Sequence, residues 1–179
     1  MTQHEYVFVA LSIILGLALT RMLHTVAQLI RARTYVSFHW STAIWGLSVL
    51  AYVLQLWWVG WGLRDMGEWM FIDFLVLVLG CISIYGAAEM AMPVPGEDRL
   101  DMLSHSQHLG RLSALSMLVY FLVGPYVNIF MYDNPILPSL IVPGIGVLLT
   151  SLVIAIPRFF PFLSLLFALY SIGVLLLTT

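Results

Sequence analysis

Residues 139–156 read SLIVPGIGVLLTSLVIAI and residues 161–178 read PFLSLLFALYSIGVLLLT, and Arg158 between them is the one charged side chain of the whole region. A helix needs about 20 predominantly apolar residues to cross the hydrocarbon core of a bilayer. These two stretches therefore predict two membrane-spanning helices that are joined by a short turn.

The rest of the chain repeats this pattern. Over 179 residues, 61% are apolar, 9% are charged and the mean hydropathy is +1.00, whereas about 25% of the residues of a soluble domain are charged. We expect an all-α, polytopic integral membrane protein with one transmembrane domain over residues 1–179. The predicted spans are residues 5–30, 40–63, 68–92, 108–131, 139–156 and 161–178.

Prolines mark the irregular points of this pattern. Gly124-Pro125 predicts a kink near the far end of the fourth helix. Asp133-Asn134-Pro135 and Pro138 predict the turn that precedes the fifth helix.

Composition also limits the possible functions. A net charge of −2 gives no electrostatic reason to expect nucleic-acid binding, and the single cysteine, Cys81, cannot form an intrachain disulfide. No catalytic or nucleotide-binding motif is recognisable, so we predict no catalytic residues and no cofactor. All seven basic residues are arginine, which indicates a GC-rich bacterial genome and therefore a bacterial inner membrane.

Arginines mark one side of the predicted membrane. Only Arg64 lies in the connections after the second and fourth helices. By the positive-inside rule, loops 31–39, 93–107 and 157–160 are predicted to be cytoplasmic and both termini to lie outside. The arginines in or next to these three loops are Arg31, Arg33, Arg99, Arg111 and Arg158.

The first helix has two distinct sides at 100° per residue. We expect its apolar side to face lipid and its polar side to face the other helices. The apolar side consists of Phe8, Leu11, Leu15, Ala18, Leu19, Met22, Val26 and Leu29. The polar side consists of Glu5, Ser12, Gly16, Thr20, Arg21, His24 and Gln28.

Arg21 needs a partner, because an unpaired arginine inside a bilayer costs about 2.5–3.5 kcal/mol even on insertion scales. Glu89 is predicted at the same depth on the third helix, one turn from Tyr85. Three hypotheses follow: a structural ion pair, a polar cavity that opens to the cytoplasm and binds an ion, a proton or a solute, and an Arg21 side chain that reaches the interface without a partner.

Two further polar residues are candidates for an ion or solute pathway. Gln55 either lines such a pathway or bonds to a neighbouring helix. Asp73 is either an interfacial carboxylate near Arg64 or an outer gate. The full set of pathway candidates is Arg21, His24, Gln28, Gln55, Asp73, Tyr85 and Glu89.

Small and hydrogen-bonding residues recur at helical spacing on the second and third helices. Such residues let helices approach closely in membranes, so we expect helix packing there and self-association into a homo-oligomer. These residues are Ser41, Ser48, Gln55 and Gly62 on the second helix and Ser83, Ala87 and Ala91 on the third.

Histidines raise metal and haem hypotheses. A helix that begins near Asp98 would place Asp101, His105 and His108 on one face, in a spacing that can ligate a transition metal. His24 and His39 are both expected near the inner surface and are conceivable haem ligands. The more ordinary interpretation is that these histidines are interfacial.

Three classes of function remain open. The protein is a small channel or transporter-like component with a polar core around Arg21 and Glu89, or a structural, sensory or accessory membrane protein that acts through partners. The third hypothesis is a membrane-embedded metal or haem enzyme that uses His105 and His108.

Overall fold

The computed structural model describes residues 2–96 and 99–178, which form seven α-helices and one two-stranded ladder. Six of these helices are long and apolar enough to cross a membrane. The helices are α1 (Gln3–Arg31), α2 (Trp40–Gly62), α3 (Phe71–Met90), α4 (Met102–His108), α5 (Gly110–Tyr126), α6 (Ile136–Ala155) and α7 (Phe160–Thr178). The strands are β1 (Val36–Ser37) and β2 (Leu100–Asp101).

Helix α4 lies inside the segment that the sequence predicts to be a polar connection. Asp101 caps it, because its Oδ1 accepts a hydrogen bond from the backbone N–H of Leu103 at 3.1 Å. The helix begins at Met102 and not near Asp98, which lies outside the described residues.

The kink predicted at Gly124-Pro125 is a change of helix type. Pro125 has no N–H to donate, and α5 continues from it into a π-helical turn, Val127–Met131. The backbone N–H of Tyr132 donates to the carbonyl of Val127 at 3.1 Å and ends that turn.

Pro138 was expected in the turn before the fifth helix, and this expectation is wrong. Helix α6 already begins at Ile136, and Pro138 lies in its first turn. Proline is tolerated there because the first N–H groups of a helix have no partner within the helix.

The helices form one bundle in which α5 packs between α3 and α6, α2 packs against α7, and α1 lies at the edge against α2 and α3. Strands β1 and β2 pair in parallel, with Val36 opposite Leu100. Helix α4 contacts the 3-10 turn Pro157–Phe159. The three loops that the arginines predict to be cytoplasmic therefore lie together at one end of the bundle.

The half of the core at this end is aromatic. Trp45, Phe160 and Phe167 are fully buried, and the ring centroids of Trp45 and Phe167 lie 4.7 Å apart. The indole Nε1 of Trp45 donates to Ser113 Oγ at 2.9 Å, and Ser113 Oγ donates to the carbonyl of Ala87 at 2.8 Å. This chain of hydrogen bonds joins α2, α5 and α3.

The packing positions predicted on α2 and α3 are buried, except for Gly62, which is exposed but has the Tyr132 hydroxyl packed against it. The residues that the structure buries are Ser41, Ser48, Gln55, Ser83, Ala87 and Ala91.

Candidate functional sites: a surface ion pair and a cavity inside the bundle

Arg21 and Glu89 form an ion pair at the outer surface of the bundle. Nε and Nη2 of Arg21 contact the same carboxylate oxygen of Glu89, Oε1, at 2.9 and 2.8 Å. The side chains are 36% and 35% exposed. The structure therefore forms the pair that the sequence predicts, but places it on the α1–α3 edge and not in the bundle interior.

The face assignment for α1 is wrong. Leu15 and Met22, which were expected to face lipid, are 1% and 2% exposed and belong to the core. Thr20 and His24, which were expected to face the bundle, are exposed. In lipid the hydrophobic effect does not sort apolar side chains into a core, so the fit between helices decides which face is buried. The full set of buried residues on α1 is Val7, Leu11, Leu15, Ala18, Met22 and Thr25.

A row of polar and small residues at four-residue spacing runs along the outward side of α1. At a rise of about 1.5 Å per residue it extends about 24 Å, most of the roughly 30 Å thickness of a bilayer core. We call it the α1 ridge: Ser12, Gly16, Thr20, His24 and Gln28.

The α1 ridge has open space at Gly16, and two of its polar groups are either bonded or buried within the chain. A Cβ atom added to Gly16 would have no heavy atom of a neighbouring residue within 4 Å. Oε1 of Gln28 is buried within the chain and has no hydrogen-bond partner among the described residues. Thr20 is already satisfied, because its Oγ1 donates to the carbonyl of Gly16 at 2.8 Å.

Tyr85 does not complete the Arg21–Glu89 network as expected. It is half-buried, and in the described part of the chain the ion pair consists of Arg21 and Glu89 alone.

Asp73 was expected near Arg64, and this expectation is wrong. Asp73 is 3% exposed; its Oδ2 accepts from the backbone N–H of Met70 and its Oδ1 from the hydroxyl of Tyr126, both at 2.8 Å. Asp73 caps its own helix, since the backbone N–H groups at a helix N-terminus attract a carboxylate. Arg64 instead lies 3.6 Å from Asp65 and stacks on Trp61.

A cavity of about 120 Å³ lies between α2, α3, α5, α6 and α7, in the half of the bundle nearest the two termini. Most of its wall is apolar. Polar side chains on its wall come from Tyr52 and Gln55 on α2, Tyr120 on α5, Asn128 on the π-helical turn and Tyr170 on α7. The cavity thus contains one sequence-predicted candidate, Gln55, whose Oε1 accepts from the Tyr120 hydroxyl at 3.5 Å.

The hydroxyl of Tyr52 is buried beside α7 and is not exposed to the cavity. Tyr52 is 1% exposed, and its hydroxyl has no partner at hydrogen-bonding geometry. The nearby hydroxyls of Tyr170 and Ser171 donate elsewhere, to the carbonyls of Val142 and Phe167 at 2.8 and 2.7 Å. Because a hydroxyl oxygen that donates can also accept, Tyr170 and Ser171 are the nearest acceptors for the Tyr52 hydroxyl.

Irregular helices surround the cavity. Gly124 and Pro143 both line it, and a Cβ atom added to Gly124 would lie 3.2 Å from Cγ of Pro143. The π-helical turn contributes Val127 and Asn128 to the wall. Such π-helical insertions occur frequently at functional sites.

The histidine candidates are engaged in local hydrogen bonds. Nε2 of His105 lies 3.4 Å from the carbonyl of Met90, and Nδ1 of His108 lies 2.8 Å from that of Ser104. Burial lowers the pKa of His105, against the opposing effect of the Met90 carbonyl. No group of three or more His, Cys, Asp or Glu side chains that could hold a metal occurs in residues 2–96 and 99–178.

The two histidines considered as haem ligands, His24 and His39, have different surroundings. The ring nitrogen Nδ1 of His39 lies 2.7 Å from Ser41 Oγ, where the imidazole caps α2, and His24 lies on the exposed α1 ridge.

Comparison of the chain with protein-family models, with curated proteins and with solved structures found no match.

The sequence analysis missed the three tyrosines of the cavity. Tyr52, Tyr120 and Tyr170 lie on three different helices, so no spacing along the chain connects them. The available signals were indirect: Gln55 within an apolar helix, and the Gly124-Pro125 pair, which predicts a local departure from close helix packing.

Proposed function

We propose that this chain is an integral membrane protein that acts through assembly, and that its first partner is a second copy of itself bound along the α1 ridge. The observation that carries the proposal is the position of the Arg21–Glu89 pair, about one-third exposed on the outer side of α1 and α3. Charged groups that face lipid are costly, so a polar protein surface that covers the pair would stabilise it.

The chemistry of this surface favours a second copy as the occupant. It presents one cation and one anion side by side, so a copy related by a two-fold axis would place Arg21 of each subunit near Glu89 of the other. Gly16, one turn from the middle of the ridge, adds open space, and small residues at four-residue spacing allow two helix backbones to approach closely.

Disulfide crosslinking in native membranes tests this proposal. Cys81 is buried and is replaced by alanine to give a cysteine-free background. Gly16→Cys should give a disulfide-linked dimer, whereas Leu169→Cys, also near the middle of its helix and 59% exposed on α7, should give much less. Equal crosslinking at both positions, monomer alone, or an adduct with a different protein at Gly16→Cys would each overturn the choice of a second copy.

We propose the cell membrane, in bacteria the inner membrane, as the location, with both termini outside. The support is that loops 31–39, 93–107 and 157–160 hold most of the arginines and lie at one end of the bundle. Ser104 is exposed at that end. Ser104→Cys should resist a membrane-impermeant thiol reagent in intact cells and react after permeabilisation; labelling of intact cells would reverse the orientation.

Transport is a second candidate, with the pathway between copies instead of through each bundle. The observation in its favour is the length of the α1 ridge, which extends over most of a bilayer core. Proteoliposomes should then show potassium or proton flux above that of empty liposomes, and Gly16→Leu should abolish it. An absence of flux from crosslink-competent dimers would leave assembly as the role of the ridge.

A further inference from the structure

We propose that a surface groove at the arginine-rich end of the bundle is a binding site for one anionic phospholipid, with the lipid phosphate at Arg33 and an acyl chain along the end of α1. The groove lies between α1, α2 and α4 and the connection from α1 to α2. We call it the Arg33 groove; the residues of its wall that carry the argument are Val26, Ile30, Arg33, Phe38, Ala43 and Met92.

The Arg33 groove is separate from the α1 ridge, so this site does not depend on the dimer proposed above. Val26 lies two residues after His24 and two residues before Gln28, which is a rotation of about 200° from each around the helix. The groove and the ridge are therefore on opposite sides of α1. Crosslinking at Gly16→Cys can fail while lipid binding persists, and the reverse.

The apolar part of the groove suits an acyl chain. Among its described lining residues, Arg33 is the one polar side chain. The buried Met92 forms part of the wall, whereas Ile30 and Phe38 are 63% and 69% exposed, so the groove opens outward. Its volume of about 280 Å³ exceeds that of a cavity of about 150 Å³ that admits benzene. A segment of a lipid chain, which is as apolar as leucine, therefore has room in it.

The charge of the lipid follows from the groups at the mouth of the groove. Arg33 is exposed, and the ion pairs between described residues use other arginines. Arg31 and Arg99 are also exposed at this end, and Arg99 directly precedes β2, which pairs with β1. The carboxylate of Asp101 nearby caps α4. Basic pockets beside membrane-spanning helices bind anionic lipid headgroups, and the charge here is complementary to a phosphate.

The order of charged and apolar residues along α1 matches the order of groups in a phospholipid. Helix α1 ends at Arg31, just before Arg33. Val26 lies five residues before that end, about 8 Å further along the helix axis. A phosphate bound at the guanidinium of Arg33 would therefore place the first part of an acyl chain beside Ile30 and Val26.

Native mass spectrometry of the full chain in detergent tests this site. The protein is mixed with equal amounts of phosphatidylglycerol, which is anionic, and phosphatidylethanolamine, which is zwitterionic, with identical acyl chains. The adduct with one lipid should contain phosphatidylglycerol in about 5-fold excess, the effect of one arginine on an anionic lipid.

Two pairs of variants locate the site. Arg33→Gln should bring the two lipids to nearly equal binding, whereas Arg158→Gln, at an exposed arginine of the same end that stacks on Phe159, should keep the wild-type preference. Ala43→Leu fills the groove and should reduce the binding of both lipids. Ala27→Leu makes the same change on the exposed surface of α1, outside the groove, and should behave as wild type.

Three results would overturn the proposal: equal binding of the two lipids by wild type, a preference for phosphatidylglycerol that survives Arg33→Gln, or the same loss of preference in Arg158→Gln. If Ala43→Leu does not fold, the two arginine variants still decide, because both change exposed side chains.

Discussion

Tyr126 donates its hydroxyl hydrogen to Oδ1 of Asp73 at 2.8 Å, and this contact joins the end of α5 to the first turn of α3. The second carboxylate oxygen of Asp73 is occupied by the backbone N–H of Met70. The buried carboxylate of Asp73 thus caps the start of α3 and also binds α5 at Tyr126, the residue before the π-helical turn.

Tyr126→Phe should therefore destabilise the protein by about 1–2 kcal/mol, since a hydrogen bond is lost and Asp73 keeps a buried oxygen without a partner. Reversible unfolding in mixed micelles measures the change. Tyr35→Phe, which removes a hydroxyl from an exposed loop residue, is the control. A Tyr126→Phe protein as stable as this control would show that the contact contributes nothing.

The Arg21–Glu89 pair should show a coupling free energy of about 0.5–1 kcal/mol in detergent, the usual size of a polar contact between two membrane-spanning helices. The double-mutant cycle uses Arg21→Met, Glu89→Gln and the combined variant. We expect the double variant to lose less stability than the sum of the losses of the two single variants. A coupling indistinguishable from zero would remove the pair as a stabilising contact within one subunit.

Two glycines should respond oppositely to the same change. A Cβ atom at Gly146 would lie 2.7 Å from the ring of Phe121, whereas one at Gly16 would meet nothing within 4 Å. Gly146→Ala should cost about 1–3 kcal/mol by overpacking, and Gly16→Ala should leave the stability of the monomer unchanged or slightly higher. Thermal unfolding of both variants checks this prediction. A Gly146→Ala protein as stable as wild type would mean that the Phe121 ring or α5 moves away from α6 at little cost.

Acid should destabilise the end of the bundle near α4. Burial lowers the pKa of His105 below its ordinary 6.5, so the folded state binds fewer protons than the unfolded state. Stability from this group is complete above about pH 6.5 and falls as the pH drops toward the folded pKa. Unfolding measured between pH 7.5 and 5.5 should be less pH-dependent in His105→Gln than in wild type, with His108→Gln as control; equal slopes would contradict the prediction.

The fold could be predicted from the sequence because length and hydropathy alone limit the possible structures. Residues 139–156 and 161–178 are too apolar and too long for a soluble core element, and the observed α6 and α7 match them closely. The Arg21–Glu89 contact was also predictable, since two charges at similar depth on neighbouring helices stabilise each other more than either is stabilised alone.

The direction in which these charges point was not predictable in the same way. In water, the apolar side of α1 would have to be buried, and Leu15 is indeed buried; in lipid both sides of the helix are acceptable, so periodicity does not determine which one faces the bundle. The wrong assignment of His24 and Thr20 came from assuming that polar groups turn inward. The burial of Tyr52 beside a cavity could not be predicted for another reason. The residues around it come from four other helices, so no local sequence pattern connects them.

The aromatic contacts among Trp45, Phe160 and Phe167 make the two halves of the bundle interior different. These rings are fully buried and close one half of the core, while the cavity occupies the half nearest the termini. The rings around Trp45 and the cavity therefore occupy different halves of the bundle, and Phe167, which contacts Tyr52 and Phe121, lies where the two meet.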